Sequence, residues 1–387
     1  MKDIFKEVFP SGVNSGRDEL IVQAENFYAA NAKSAETMFG YPSHTTPLSA
    51  KTQYLLLLHY TSPFSNNCGD IDERGNYSMD TKAVEKRIVG LFAKKFGMGD
   101  DFWGYVTSGG TESNTCAVSL ACNKYPSATL YYSQSAHYSI AKAARLYKHF
   151  EIPADCRDNI NLDALFQVIE KNYERKGAPA GVMLTFGTTK FGACDPIDKL
   201  TSFLISRKIP SFVHVDAAHF GGIPNNQNFA PTLENLKERG VDSVCVSMHK
   251  YLGFPDVHSV FVSTSKPAAP EVAYIGQHDT TVSGSRSIPA YALLNHLEER
   301  LFGRDPDEYC KNIILFEKML TENKVDFYRA PCSNIFVIDK PSDEVCKQFQ
   351  LSTFDVVENR KNVDKAHIII FPHHKKENML KLVNAIK

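Results

Sequence analysis

Short apolar runs separated by segments of helical spacing dominate the middle of the chain. Residues 104–107, 130–132, 182–186, 212–215 and 243–246 are mostly apolar and bounded by turn-forming positions, as strands buried on both faces are. Val84, Ile88, Leu91 and Phe92 recur at helical spacing, and 111–124 and 140–147 read as helices. Asn161 is placed to cap a helix carrying Leu162, Leu165, Phe166 and Ile169. Strands alternating with helices predict an α/β domain around a mostly parallel sheet. After about residue 290 the pattern changes: helical stretches over 291–301 and 311–322 precede strands over 334–338 and 367–371 and a last helix over 377–386. The expected organisation is an N-terminal arm over 1–48, containing the turn Gly40-Tyr41-Pro42-Ser43-His44, a large domain over 49–289 and a small C-terminal α+β domain over 290–387.

Composition narrows the function classes. The 387 residues are 43% hydrophobic and 22% charged with a formal net charge of -1, ordinary globular values that give no electrostatic footprint for nucleic acid or an anionic membrane. No apolar stretch is long enough to span a bilayer, and the start Met1-Lys2-Asp3-Ile4-Phe5-Lys6-Glu7 carries charges where a signal peptide needs an apolar run. Nine cysteines without a Cys-x-x-Cys pair fit reduced thiols, so a cytoplasmic location is expected.

Three motifs carry candidate chemistry. Lys250 ends Ser247-Met248-His249-Lys250 after an apolar run, so its amine can reach a crevice at the end of a strand, where open α/β sheets bind ligands. Taken alone it is a solvated surface lysine. Asp216, in His214-Val215-Asp216-Ala217-Ala218-His219, also follows an apolar run; a carboxylate there can hold a proton on a ring nitrogen, and the two alanines leave room for a flat ring. The rival reading, a metal site from His214, Asp216 and His219, lacks an evident further ligand. Ser108-Gly109-Gly110-Thr111 opens a helix, whose start favours a phosphate; without Gly-Lys-Ser/Thr it is no nucleotide P-loop. His137, after the run 130–132, can stack on a ring or be an ordinary loop residue. An amine, a carboxylate and a phosphate cradle are the three holds that pyridoxal 5'-phosphate (PLP) needs.

The ordered set resembles the group II PLP-dependent amino-acid decarboxylases, which have fold type I, the aspartate-aminotransferase-like fold. The likeness runs over nearly the whole chain. It is carried by Gly40-Tyr41-Pro42, Asn66-Asn67-Cys68-Gly69-Asp70, Trp103 to Glu112, Leu130-Tyr131-Tyr132-Ser133, His137-Tyr138-Ser139, Gly187-Thr188-Thr189, the Asp216 and Lys250 motifs, Tyr274-Ile275, His278-Asp279 and Gly284-Ser285-Arg286. Within the family the pattern is most like that of the short bacterial histidine decarboxylases, with plant serine decarboxylases as relatives.

The resemblance implies roles. Lys250 would hold the cofactor's aldehyde, Asp216 its ring nitrogen and His137 its ring face, with Ala218 beside the ring. Thr189 would reach the ring's phenolic oxygen or the substrate carboxylate. Ser108, Gly109, Gly110, Thr111, Ser247 and His249 would form the phosphate end, joined by Ser285 from a neighbouring subunit, because family members are dimers with shared sites. Tyr274 would help protonate the product, and Tyr41, Asn66, Asn67 and His278 would contact the substrate. The expected activity is decarboxylation of an L-amino acid, histidine to histamine being favoured. Serine, aromatic or acidic substrates, a related lyase or aldehyde-forming reaction, and a silent homologue that binds a partner are the alternatives. The chain departs from the family pattern at Lys190-Phe191, at Pro255-Asp256-Val257-His258-Ser259 and at Ser287-Ile288-Pro289; these bear on the substrate more than on the cofactor.

Overall fold

A computed structural model describes residues 15–62, 65–73, 79–224, 232–267, 286–301, 306–331, 333–358 and 360–387. Its centre is a seven-stranded sheet made of β1 (Trp103–Thr107), β2 (Thr129–Ser133), β3 (His149–Ile152), β4 (Ala180–Thr185), β5 (Ser211–Asp216), β6 (Ser243–Ser247) and β7 (Ser259–Ser263). The order across the sheet is β1-β7-β6-β5-β4-β2-β3. β2 pairs with β3 and β4, β4 with β5 and β5 with β6, all in parallel. β7 is antiparallel to both of its neighbours. The reason is local: the link 248–258 that joins β6 to β7 contains no crossover helix, so the chain returns as an antiparallel strand. The mostly parallel sheet is thus as the apolar runs predict, while β3 and β7 escaped that reading. β3 exposes most of its length, and β7 lies directly behind the polar 255–258 stretch.

Helices flank the sheet. α1 (Ser15–Ala35) and α2 (Ala50–Thr61) occupy the N-terminal region, and α3 (Lys82–Phe96) precedes β1. α4 (Gly110–Lys124) and α5 (Tyr138–Ala144) follow β1 and β2, and α6 (Leu162–Lys176) and α7 (Ile197–Ser206) flank β4 in sequence. The predicted cap on α6 is present: the Asn161 side chain accepts the Ala164 N–H at 3.0 Å. α8 (Ala290–Leu301) packs on α2 and α3, tied by Asn295 Nδ2 donating to Thr52 Oγ1 at 2.9 Å.

The C-terminal region holds α9 (Pro306–Glu322), β8 (Tyr328–Arg329), β9 (Ile335–Asp339), α10 (Asp343–Gln348), β10 (Ser352–Glu358), β11 (Lys361–Ile369) and α11 (Lys376–Ala385). Its strands form an antiparallel sheet in the order β10-β11-β9-β8. Phe191 locks this sheet to the larger one: it is buried, with the rings of Tyr328 and Phe354 at 5.8 and 5.5 Å. The Gly40-Tyr41-Pro42 segment threads beside the smaller sheet. Ile369 N–H donates to Phe39 O at 2.6 Å, and a Cβ on Gly40 would lie 2.2 Å from Gln350 O, so only glycine fits.

Candidate active site

The carboxyl ends of β4, β5 and β6 lie side by side, with Thr185 level with Asp216 and Asp216 level with Cys245. β1 ends beside them and turns through Ser108-Gly109-Gly110 into α4. Gly109 has φ +141°, which strains any other residue, and a Cβ on Gly110 would come within 3.3 Å of Ser247 Oγ. The turn is held from within, since Glu112 accepts hydrogen bonds from the Ser108 amide and hydroxyl. The first amides of α4 have no helical acceptor and, with the helix dipole, form an anion site.

Asp216 is buried; its Oδ1 accepts the Ala218 N–H at 3.0 Å and its Oδ2 accepts Asn114 Nδ2–H at 2.8 Å. Lys250 follows β6 in a turn that is braced from outside. Lys250 O accepts the His44 N–H at 3.0 Å, His44 Nδ1 donates to Tyr251 O at 2.9 Å, and His296 Nε2 donates to Leu252 O at 2.7 Å. The N-terminal segment therefore helps to fix the lysine, a role the sequence did not signal. His137 caps α5, and its Nδ1 lies 2.7 Å from Ser139 Oγ. Burial, against the opposing pull of Asp216 and with a smaller push from Lys250, lowers its pKa and keeps the ring neutral.

Lys250, Asp216, His137, Ser108, Gly109, Gly110, Thr111, Thr189, Ala218, Ser247 and His249 all line one cavity of about 570 Å³. Asn66, Asn67 and Tyr41 are not on its wall. Asn67 Nδ2 donates to the buried Glu85 at 2.7 Å and Asn66 Oδ1 accepts the Arg286 N–H at 3.2 Å, while Tyr41 is 57% exposed. Within one chain these three have structural or surface positions. Tyr274, His278 and Ser285 lie outside the described residues.

The cavity also recruits Asn114 and Thr185, which sequence reasoning passed over, and His219, which it weighed only as a metal ligand. Asn114 stands one helical turn after Gly110, and that spacing was the available signal. His219 is buried and its Nε2 lies 3.0 Å from Asn334 Oδ1, in the C-terminal region. Asn334 Nδ2 donates to Ile370 O at 2.9 Å, so its oxygen faces the imidazole and Nε2 is the donor. The pKa of His219 is pushed down to about 3, chiefly by burial and then by Lys250. Both ring nitrogens of His214 have hydrogen-bond partners, whereas only Nε2 of His219 does; among the described residues no group of three His, Cys, Asp or Glu is placed to hold a metal ion.

Comparison with known proteins follows the same line. The profile described as "Pyridoxal-dependent decarboxylase conserved domain" matches residues 121–274. Histidine decarboxylase of Pseudomonas entomophila (strain L48) is 30% identical, over 92% of this chain and 87% of its own. That of Acinetobacter baumannii is 30% identical, over 91% of this chain and 90% of its own. This chain belongs to the pyridoxal-dependent decarboxylases. Solved structures agree on the fold. L-Methionine decarboxylase from Streptomyces sp.590 superposes with a TM-score of 0.76 at 22% identity, covering 98% of this chain and 96% of that one. Sphingosine-1-phosphate lyase from Burkholderia pseudomallei K96243 gives 0.72 at 16% identity, covering 98% and 91%. The protein is accordingly a PLP-dependent amino-acid decarboxylase of fold type I.

The cavity wall fits the cofactor of this family. It offers an amine, a buried carboxylate and a glycine turn at a helix start. Three buried polar atoms on that wall, Thr185 Oγ1, His219 Nδ1 and His249 Nδ1, have no hydrogen-bond partner among the described residues. Such atoms in a native core are costly unless a ligand or water satisfies them.

Proposed function

We propose that this decarboxylase acts on L-histidine, releasing carbon dioxide and histamine, as a cytoplasmic homodimer. The observation that carries the substrate is the extent of likeness to histidine decarboxylases, 30% identity over more than nine-tenths of this chain. Bound PLP supplies an aldehyde that a substrate amine can join and a protonated ring that accepts the electron pair of the broken Cα–carboxylate bond. In this reading Lys250 holds and releases the aldehyde carbon. Asp216 keeps the proton on the ring nitrogen. His137 covers the ring face, and Thr189 stands near the substrate carboxylate. Ser108, Gly109, Gly110, Thr111, Ser247 and His249 bind the phosphate, with Ser285 of a second copy completing the set, and Ala218 lets the ring lie close to β5. Tyr274 serves the returning proton, and His278 with Tyr41, Asn66 and Asn67 belongs to the substrate side of the shared site.

The N-terminal region supports the dimer. Phe27 and Tyr28 on α1, and Tyr54, Leu57, Leu58 and Tyr60 on α2, expose large apolar surface in the single chain. Monomeric soluble proteins seldom leave large apolar patches bare, and exposed apolar side chains gathered on two helices are what a subunit contact would cover. Among the described residues no helix is long and apolar enough to cross a membrane.

Carbon dioxide release measured with histidine, serine, methionine, tyrosine, tryptophan, glutamate and aspartate tests the substrate. Histidine should lead in kcat/KM. A site that hydrogen-bonds an imidazole rejects side chains lacking those groups by about 10⁴-fold or more. If another amino acid leads, the histidine assignment fails while the decarboxylase remains. Sedimentation tests the dimer, which fully active monomers would rule out.

A further inference from the structure

The two residues that face the cofactor's ring, Asp216 and His137, are 79 positions apart and on different elements. One buried side chain touches the surroundings of both. Asn114 Nδ2 lies 2.8 Å from Asp216 Oδ2 and 2.9 Å from Ser139 Oγ; its Oδ1 lies 3.1 Å from His214 Nε2 and 3.5 Å from Cys245 Sγ. Asn114, Ser139, His214 and Cys245 are all almost wholly buried. We propose that Asn114 is the positioning residue that wires Asp216 to His137, so that one amide sets the carboxylate and the imidazole together. The inference rests on the PLP-decarboxylase reading of the site.

The proton on every bond of this circuit follows from simple accounting. A carboxylate only accepts, so the amide nitrogen of Asn114 must face Asp216 and its oxygen must face His214. Its second N–H then goes to Ser139 Oγ. That hydroxyl, having accepted, sends its own hydrogen to His137 Nδ1 at 2.7 Å, which also receives the Ser139 N–H at 3.3 Å. His137 is left with its hydrogen on Nε2 and presents a donor. On the other side the Asn114 oxygen accepts, so His214 donates from Nε2 and takes the Ser243 hydroxyl hydrogen on Nδ1 at 2.9 Å. Cys245 stays a thiol, since burial and Asp216 raise its pKa well above the ordinary value. Asn114 spends two donors and one acceptor position, and its oxygen competes with Asp216 Oδ1, 3.7 Å from Cys245 Sγ, for the single thiol hydrogen. Neither aspartate nor leucine, both close to its shape, can reproduce that pattern.

The test compares Asn114→Leu, Asn114→Asp and Ser139→Ala with the wild type, each first checked for native circular dichroism. PLP affinity reads the Asp216 arm and kcat on histidine at saturating PLP reads the His137 arm. Asn114→Leu and Asn114→Asp should both weaken PLP binding by about tenfold or more, the loss of one hydrogen bond to a charge, and lower kcat as well. Ser139→Ala cuts only the second arm, so kcat should fall about tenfold or more while PLP affinity changes less than threefold. Folded Asn114→Leu or Asn114→Asp with both constants near wild type would overturn the wiring, because shape alone would then suffice. If neither folds, Ser139→Ala still decides: unchanged kcat overturns the link to His137. Wild-type protein that binds no PLP would overturn the underlying reading as well, an outcome distinct from wild-type binding with indifferent variants.

Discussion

Glu85 and Asp216 are both buried carboxylates, and the chain treats them in opposite ways. Glu85 Oε1 accepts the Val106 N–H at 2.8 Å and pairs with the Arg286 guanidinium, while Oε2 takes Asn67 Nδ2–H at 2.7 Å. Arg286 in turn donates to Asn67 O at 2.6 Å and lies over the Tyr105 ring at 5.1 Å. The two charges of that node answer each other within the chain, although Arg286 Nε has no hydrogen-bond partner among the described residues. Asp216 also has its hydrogen bonds, from Ala218 and Asn114, yet no cation among the described residues forms a salt bridge with it. A buried charge without a counter-charge is expensive. The charge-paired node is structural; the unpaired carboxylate is where we propose that the protonated cofactor ring is held.

Removing the reactive amine should have the largest effect. Lys250→Ala should abolish turnover, although the phosphate cradle and Asp216 remain to bind PLP. Borohydride treatment of the wild type should leave a reduced pyridoxyl group on Lys250, located by mass spectrometry. A group found on another lysine would move the chemistry away from the Asp216 side of the comparison.

Breaking the charge-paired node should cost stability before activity. Arg286→Ala leaves Glu85 charged and unanswered in the core, a loss of about 3–5 kcal/mol, readable by chemical denaturation of the apoprotein. A change under about 1 kcal/mol would mean that the node is not held by the pair. This node also shows how far the sequence could be read. Asn67 and Arg286 stand in segments that resemble the family, and their pairing across 219 positions is invisible to any local pattern, so Asn67 was expected beside the substrate. Asp216 and Lys250 were legible because one ends a buried strand and the other follows closely on one, and each strand's apolar run marks its own boundary. The tie between His219 and Asn334 spans 115 positions and left no local trace. The departures at Lys190-Phe191 and 255–259 have physical reasons visible only in three dimensions. Phe191 wedges the two sheets together, and Asp256 accepts the Tyr60 hydroxyl while Val257 reaches the cavity wall.

Asp216→Asn should split the two readouts that Arg286→Ala joins. The neutral amide removes the uncompensated charge but sets an NH2 against either the Ala218 N–H or the Asn114 Nδ2–H, so apoprotein stability should change by less than the Arg286→Ala loss. PLP affinity should fall by about 1.5–3 kcal/mol through loss of the charge-assisted contact. Calorimetry of the apoprotein beside a PLP titration separates these effects. Apoprotein destabilised as strongly as Arg286→Ala would show that the two carboxylates are not different in kind.

A third carboxylate sharpens the comparison with a smaller effect. Asp195 is buried; among the described residues it takes the Thr185 N–H at 2.7 Å on Oδ2 and has no partner on Oδ1. Burial, aided by Asp158, raises its pKa to about 7. It resolves its burial by keeping a proton, where Glu85 keeps an arginine. With the folded value above the unfolded one, its stabilising contribution is full below about pH 4 and is lost as pH rises to about 7. Asp195→Asn stays neutral throughout, so its stability relative to wild type should climb with pH between 5 and 7, by up to about 1.4 kcal/mol per unit, and level off above. Taking the difference between variant and wild type cancels the buried histidines. Burial holds His214 and His373 at about 4 and His219 and His374 at about 3, so each loses stability as pH falls below 6.5, the opposite direction. A difference that stays flat from pH 5 to 8 would mean that Asp195 is ionised in the native core, and that this site answers a buried charge by some means other than a proton.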